Sequence, residues 1–418
     1  MRILFVTPYV PSRIRTRPFN LIKSLSTTHD ISLVALLVQD YERAMVKDVE
    51  RYCTSVDLVP LPKWQAYANC LRALPTLTPL RVAYYRSPAF VERIKEVIYR
   101  QKIDVVHGEL IKVVPALKAV LAQEHIPVCY DSVDCISWFL QQQTEVTRNP
   151  LKKAFAYSEL QKMRRYERRE LPAFNQVVIA SASDRDRLGK LTGQPHNIQV
   201  VSNCVDTDYF TPRAEPRAVD SLVYSAKLDY FPNTQAILHF CKKTLPLVWK
   251  QHPQVRLTIV GSNPSSQIRA LATDTRITVT GYVPDIRPYL GTASVALAPL
   301  LVAAGTQFKI LEALAMCTPI VTTPRCSSAL GTQNGVHLLV AEESQACADG
   351  IVKLLDNPQL AQQLGNAGRR FVTENYSWPI ATTVLNRLYN AAVAQPEQQE
   401  VAADLAWMEM AQQHAYKR

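Results

Sequence analysis

The feature that most limits the fold of this 418-residue chain is a regular alternation of short apolar runs with helical patterns. Ile3 to Thr7 and Ile31 to Val38 have the length of buried strands, and the helical pattern Phe19 to Leu25 lies between them. The same alternation continues through Val128 to Tyr130. Short strands that alternate with helices predict an α/β fold built on doubly wound parallel sheets, in which ligands bind beyond the carboxyl ends of the strands.

The length predicts more than one domain, because the chain exceeds the size at which a single hydrophobic core keeps growing. A Pro-rich polar stretch, Thr211 to Asp220, has the composition of a linker. We therefore predict a first domain over residues 1–205 and a second over 206–376. Residues 377–418 are expected to form a helix that crosses back to the first domain, followed by a tail.

Positive charge is concentrated in the first half of the chain. Residues 1–200 hold 29 Lys and Arg against 19 Asp and Glu, so this half carries nearly all of the formal net charge of +11. Such a balance favours an acidic partner or an acidic surface. We expect no nucleic-acid partner, because the chain has no recognisable reader helix, zinc finger or interleaved aromatic and basic strand.

Cysteine and glycine usage excludes two classes of site. The nine cysteines are scattered, with no Cys-x-x-Cys, which predicts reduced thiols in a cytoplasmic protein and no zinc site. The first glycine is Gly108, so the first strand–helix turn has no dinucleotide-binding fingerprint and no NAD or FAD cofactor is expected there. No signal peptide and no bilayer-spanning apolar run is evident.

A strand, helix and strand unit over Ala298 to Pro324 has the most informative residues. A helix is predicted from about Thr306 to Met316, and Gly305 or Thr306 would leave free N–H groups at its start, where an anion such as phosphate is stabilised. Lys309 and Glu312 share one face of this helix. Spacing alone also fits an ordinary amphipathic helix with a surface ion pair.

The string GTQFKILEALAM, followed by PIVTT, resembles the nucleotide-sugar signature of the GT-B glycosyltransferases of family 4, in particular the exopolysaccharide-associated members. The resemblance implies two Rossmann-like domains that face a cleft. It also implies that Glu312 binds the ribose of a nucleoside diphosphate sugar and that Lys309 lies near its phosphates. A second family glutamate is replaced by Ala304.

Other donor-side segments match the family less closely. Gly281, Tyr282 and Val283 follow a strand, and the resemblance implies that their backbone holds the base. Lys227 stands where the family has a residue that grips the diphosphate, whereas a later family lysine is replaced near Asn233.

Acceptor-side candidates follow strands of the first domain. His107 and Glu109 occupy the place of a family His-x-His pair, so we predict that they act catalytically, with Lys227. Asp131 and Asp134 are predicted to line the cleft, although either residue could equally cap a helix.

The first loop holds three arginines. Arg13, Arg15 and Arg17 could bind an anionic acceptor or the diphosphate, or simply lie in a solvated loop.

Leu151 to Leu171 is a basic helical pattern that could lie on an anionic membrane, or pack on the sheet with a solvated outer face. We therefore allow a cytoplasmic protein with peripheral contact to the inner face of the membrane.

These features together predict a retaining, metal-independent transfer of sugar to a hydroxyl of a glycan or lipid-linked acceptor. Two alternatives remain open: a non-catalytic GT-B-like partner subunit, favoured by the departures at Ala304, Glu109, Cys204 and Asn233, and a nucleotide-sugar epimerase. A Mn-dependent transferase would use the Asp-x-Asp pair Asp206 and Asp208, or Asp184 and Asp186, but such pairs are common by chance. The sugar, the base and the acceptor are not indicated.

Overall fold

The computed structural model describes residues 1–394 except 125, 148, 175 and 302–304. The predicted tail from residue 395, and Ala304, lie outside the described residues. No helix in the described ranges is long and apolar enough to cross a membrane.

The first sheet has seven parallel strands in the order β3-β2-β1-β4-β5-β6-β7. Its strands are β1 (Arg2–Thr7), β2 (Asp30–Leu37), β3 (Ser55–Pro60), β4 (Val105–Glu109), β5 (Val128–Val133), β6 (Gln176–Ile179) and β7 (Ile198–Val200). The helices between them are α1 (Thr16–Leu25), α2 (Val46–Val49), α3 (Lys63–Ala73), α4 (Leu80–Ala83), α5 (Pro88–Gln101), α6 (Val114–Glu124), α7 (Ile136–Val146), α8 (Pro150–Glu170) and α9 (Ala182–Thr192).

The second sheet has six parallel strands in the order β10-β9-β8-β11-β12-β13. Its strands are β8 (Ser221–Ser225), β9 (Arg256–Val260), β10 (Ile277–Gly281), β11 (Val295–Ala298), β12 (Ile320–Thr322) and β13 (Leu339–Val340). The accompanying helices are α10 (Phe231–His239), α11 (Leu245–Gln251), α12 (Ser266–Ala270), α13 (Arg287–Thr292), α14 (Phe308–Ala315), α15 (Pro324–Leu330), α16 (Ser344–Asp356), α17 (Pro358–Asn375) and α18 (Trp378–Val393).

Each sheet is covered on both faces by a hydrophobic core. Side chains alternate along β1, so Ile3 and Phe5 enter one core while Leu4 enters the other. Helix α18 contributes Trp378 and Tyr389 to the core beside Ile3 and Phe5, and so packs against the first sheet. The predicted α/β fold with two doubly wound sheets is confirmed.

Candidate functional site

The strand order reverses between β1 and β4 in the first sheet and between β8 and β11 in the second. Loops that leave the carboxyl ends of such neighbouring strands diverge and leave a crevice between them. In this chain those ends carry Glu109 as the last residue of β4, Lys227 after β8 and Gly305 after β11. The topology thus places these predicted residues at the two switch points.

Glu109 is the last residue of β4 and is 2% exposed. The Tyr9 hydroxyl lies 3.5 Å from its Oε2. Burial, with the nearby Asp131, raises the pKa of Glu109 to about 8. A carboxyl group with this pKa can exchange a proton near neutral pH, which suits acid–base chemistry.

His107 lies two residues before Glu109 on β4, so both side chains point to the same face of the sheet, and His107 is completely buried. Its Nδ1 lies 2.8 Å from the hydroxyl of Tyr389 on α18, and its ring lies against Phe5. Burial lowers its pKa to about 4, so the imidazole is neutral. The prediction that His107 acts directly on a substrate does not fit this position; His107 instead joins β4 to α18.

The three arginines of the first loop lie in different environments. Arg13 is exposed and lies 5.7 Å from the Tyr209 ring. Arg15 is half-buried, forms an ion pair with Glu42 and lies 4.1 Å from the Tyr9 ring. Arg17 is buried, so neither the shared anion site nor the solvated loop that we predicted describes all three residues.

Arg17 belongs to a chain of hydrogen bonds that connects the two sheets. Its Nε donates to Asp131 Oδ2 at 2.8 Å, and its Nη1 donates to Asn203 Oδ1 at 3.1 Å. The Asn203 backbone N–H and side-chain amide donate to Oγ1 and O of Thr306, both at 3.0 Å. Asp131 also lies opposite Glu109 in the β4–β5 register, so these hydrogen bonds link the carboxylates of β4 and β5 to the loop before α14.

Gly305 closes the same junction from the other side. Its N–H donates to the buried carboxylate of Asp184 at 2.9 Å, and Asp134 lies beside it. Helix α14 begins at Phe308 rather than near Thr306, because Gly305 and Thr306 are held by the first domain instead. The Gly305 N–H is therefore not free for a phosphate in this arrangement, which corrects the prediction made for it.

Replacing Gly305 by alanine should weaken this junction. Gly305 has φ of 60°, and a Cβ there would lie 2.5 Å from Asp134 Oδ1. We expect a loss of stability of about 2 kcal/mol, from the left-handed backbone and the clash together, measured by thermal or urea unfolding. Gly331→Ala is the matched control, since its φ is 67° but an added Cβ meets nothing within 4 Å. Equal losses in the two variants would show that the contact with Asp134 contributes nothing.

Asp134 has a high pKa in this junction. Burial, together with the neighbouring Asp184, raises the pKa of Asp134 to about 7. Asp134 thus lies beside Gly305, where a Cβ added to the glycine would come within 2.5 Å of Asp134 Oδ1.

Lys309 and Glu312 are half-buried on one side of α14. Lys309 Nζ donates to Asn233 Oδ1 at 2.6 Å and lies 4.9 Å from the Tyr224 ring. Asn233, which replaces a family lysine, therefore positions a lysine from another element. The side-chain carboxylate of Glu312 has no hydrogen bond or salt bridge within the described ranges, and burial, partly offset by the charge of Lys309, raises its pKa to about 7. A carboxylate that has no hydrogen bond within the described part of the chain can accept from the hydroxyl groups of a ligand.

Lys227 follows β8 and its side chain is 66% exposed, 3.7 Å from the Asp229 carboxylate. The pKa of Lys112 in the first domain is lowered mainly by burial and by the charges of Arg81 and Arg15, and the charge of Lys227 adds a smaller effect. Lys227 and Lys112, which follow strands of different sheets, are therefore near enough to interact electrostatically.

The segment Gly281, Tyr282 and Val283 lies at the end of β10. Tyr282 is exposed, Val283 packs against the second-sheet core, and the space around Gly281 is open. The core against which Val283 packs also holds Ile310 and Leu311 of α14, the helix that carries Lys309 and Glu312.

A cationic cluster beside Glu109 was missed in the sequence. Lys112 Nζ lies 3.1 Å from the Tyr85 hydroxyl and 5.9 Å from the Tyr9 ring, over which Arg15 also lies. Burial, together with the charges of Arg81 and Arg15, lowers the pKa of Lys112 to about 8. The only sequence signal was the position of Lys112, three residues after Glu109.

The Asp-x-Asp pairs have structural partners. Asp206 forms an ion pair of 2.7 Å with Lys23 and accepts the backbone N–H of Tyr209. Ser181 caps α9 by accepting the Asp184 backbone N–H, and the Asp184 carboxylate accepts from the Ser181 hydroxyl and from the Gly305 N–H. Within the described ranges, no group of three or more His, Cys, Asp and Glu side chains is arranged to hold a metal ion.

Comparison with known proteins agrees with this architecture. Residues 34–209 match the model of Glycosyltransferase Family 4, and residues 220–357 match that of Glycosyl transferases group 1. An uncharacterized 44.6 kDa protein in the cps region of Klebsiella pneumoniae is 21% identical over 84% of this chain and 89% of its own length. The MMP alpha-(1->4)-mannosyltransferase of Mycolicibacterium hassiacum is 25% identical over 71% and 72%.

The fold is also similar to that of a solved structure, HepE from Anabaena in complex with UDP. The TM-score is 0.66 at 12% identity, and the match covers 94% of this chain and 100% of that one. With the two sheets, their switch points and both family models in agreement, the chain belongs to the family 4 (group 1) glycosyltransferases of the GT-B fold.

Proposed function

We propose that this glycosyltransferase takes a sugar from a nucleoside diphosphate and transfers it, with retention of configuration, to a hydroxyl of a glycan or lipid-linked acceptor. The environment of Glu312 is the observation that supports binding of a nucleotide sugar. Its half-buried carboxylate has no partner in the described ranges, and it lies on the same helix side as a lysine held in place by Asn233. Ribose hydroxyls that donate to Glu312 would compensate for its desolvation.

The leaving diphosphate needs positive charge near it as the bond to the sugar breaks. Lys309 and Lys227 come from the donor sheet, and Lys112 faces them from the acceptor side. These side chains are proposed to offset the growing charge, in a reaction that uses no metal ion or other cofactor.

Glu109 is proposed to manage the proton of the acceptor hydroxyl. It is placed at the switch point of the first sheet, and its raised pKa allows it to accept or return a proton near neutral pH. The contact with Tyr9 orients the carboxyl group.

The first donors to test are UDP-sugars, since HepE has been solved with UDP. GDP-, dTDP- and ADP-sugars complete the panel, because the name of the mannosyltransferase relative gives the sugar it transfers but not the nucleotide that carries it.

Nucleotide binding should depend on Glu312. We expect one nucleotide sugar to raise the melting temperature of the native protein, and Glu312→Gln to weaken its binding by about 10- to 100-fold, as the loss of hydrogen bonds to a charged group predicts. Thermal shift and calorimetric titration measure both. Glu374→Gln, an exposed glutamate on α17, is the control and should bind like the native protein. If no nucleotide sugar stabilises the native protein, the donor site does not function and a non-catalytic subunit becomes the better account.

A cytoplasmic protein that touches the inner face of the membrane would meet a lipid-linked acceptor there. This location is part of the proposal, and its support is the excess of positive charge in residues 1–200.

A further inference from the structure

Helix α3 presents apolar side chains to solvent. Trp64, Tyr67, Leu71 and Leu74 recur at helical spacing and are 73%, 61%, 67% and 53% exposed. Soluble helices normally bury such a stripe against a core. This one faces outwards, and Leu77, just beyond the helix, extends it.

The start of helix α8 continues the same surface. Leu151, Phe155 and Tyr157 are exposed, whereas the apolar residues later in the helix are buried in the core of the first domain. The two segments are joined because Glu159 accepts the backbone N–H of Leu80, and Lys162 Nζ donates to the carbonyl of Leu74. We call residues 63–77 and 151–157 together the α3–α8 surface.

The prediction that the entire basic helix could lie on a membrane therefore applies only to the start of α8. Leu160, Met163 and Tyr166 pack in the core, as the sheet-packed alternative required. Only the first two turns of α8 present apolar groups outwards.

The charge of the α3–α8 surface has one sign. Residues 58–91 contain no Asp or Glu, and residues 146–158 contain none either. Lys63, Arg72, Lys152 and Lys153 are exposed among the apolar side chains. Trp and Tyr mixed with Leu, Lys and Arg are the residues that settle at the boundary between lipid headgroups and acyl chains.

A cavity of about 1320 Å³ opens beside this surface and extends to helix α10. Leu151 and Phe155 line it on one side, and Phe231 and Leu301 line it on the other. Leu301 lies on the loop between β11 and α14 that leads to the donor residues. The surface is thus continuous with a space large enough for a lipid-linked sugar.

We infer that the α3–α8 surface docks on an anionic bilayer and brings the opening of this cavity to the membrane. The inference deepens the proposed function, because it identifies how a lipid-linked acceptor would reach the enzyme. A second copy of the chain is a poorer occupant, since a symmetric contact would bring two basic surfaces together.

Vesicle flotation with the full chain tests this inference. Native protein should bind vesicles of phosphatidylcholine mixed with phosphatidylglycerol, and bind pure phosphatidylcholine vesicles at least about tenfold more weakly. The triple variant Trp64→Ser, Leu71→Ser, Leu74→Ser should lose at least about tenfold in affinity for the anionic vesicles. Lys63→Gln with Arg72→Gln, Lys152→Gln and Lys153→Gln should lose a similar amount and become insensitive to salt.

The matched control replaces three exposed apolar side chains elsewhere, Tyr99→Ser, Val336→Ser and Ile380→Ser, and should bind as the native protein does. Thermal melts and nucleotide-sugar binding, measured on every variant, separate loss of docking from loss of the fold or of the donor site. Binding by the triple variant equal to that of the native protein, or a native dimer that this variant makes monomeric without any vesicle binding, overturns the inference.

Discussion

The Arg17→Met variant should be about 3–5 kcal/mol less stable than the native protein, because it leaves the carboxylate of Asp131 buried without its counter-charge. Both side chains are almost fully buried, at 3% and 0% exposure, and their ion pair measures 2.7 Å. Asp131 also accepts the N–H of Val133, which has a left-handed backbone at φ of 65°. We expect a fall in melting temperature on the order of 10 °C, measured by calorimetry.

Arg13→Met is the matched control for this prediction. Arg13 belongs to the same loop but is exposed, so its loss should change stability by no more than about 0.5 kcal/mol. Adding Asp131→Leu to Arg17→Met should recover part of the stability, since the double variant has no unpaired carboxylate buried at position 131. A single variant as stable as the control would show that water reaches Asp131.

The same residue shows where sequence reasoning ended. Arg13, Arg15 and Arg17 have equal spacing and no local feature that separates a buried arginine from an exposed one. Their difference is imposed by Glu42, Asp131 and other groups far along the chain. Such partners become neighbours only when the sheet forms.

Elements with strong local patterns were predicted well. The alternation of apolar runs and helical stretches indicated the two parallel sheets, and Lys227 was correctly placed after a strand. Glu109 was predicted to follow its strand, but β4 runs to Glu109 itself. Which sequence positions follow a strand depends on local hydrophobicity, so these positions could be read from the chain itself.

Long-range contacts account for the rest. The start of α14 was predicted two residues early, because the bonds from Asp184 and Asn203 to Gly305 and Thr306 have no sequence signal. The exposed stripe on α3 was missed for the opposite reason. A pattern of apolar residues at helical spacing indicates that a face needs covering, and says nothing of whether protein or lipid covers it.

Glu109→Gln should lower the transfer rate by about 10²- to 10⁴-fold while nucleotide-sugar binding persists, if Glu109 handles the acceptor proton as proposed. The amide keeps the size of the side chain but cannot take up a proton. The native rate should rise as the pH approaches about 8 and Glu109 ionises, and this rise should be absent from the variant. Initial rates with the donor identified above, measured across pH, test both expectations.

Glu109→Gln should lower the transfer rate but raise the stability of the folded protein at high pH, which separates a catalytic role of Glu109 from a structural one. Because burial raises the folded-state pKa from 4.5 to about 8, the folded protein binds more protons than the unfolded chain between these values, and its stability falls as the pH rises through them. Glu109→Gln removes this loss, so relative to native protein it should gain stability from pH 4.5 towards pH 8. Glu374→Gln, at an exposed site, should show neither effect. If Glu109→Gln is active and no more stable than native protein at high pH, Glu109 is solvated and does not carry the proton. If the variant is inactive and more stable, the native protein gives up stability at Glu109 to keep a proton acceptor in the crevice.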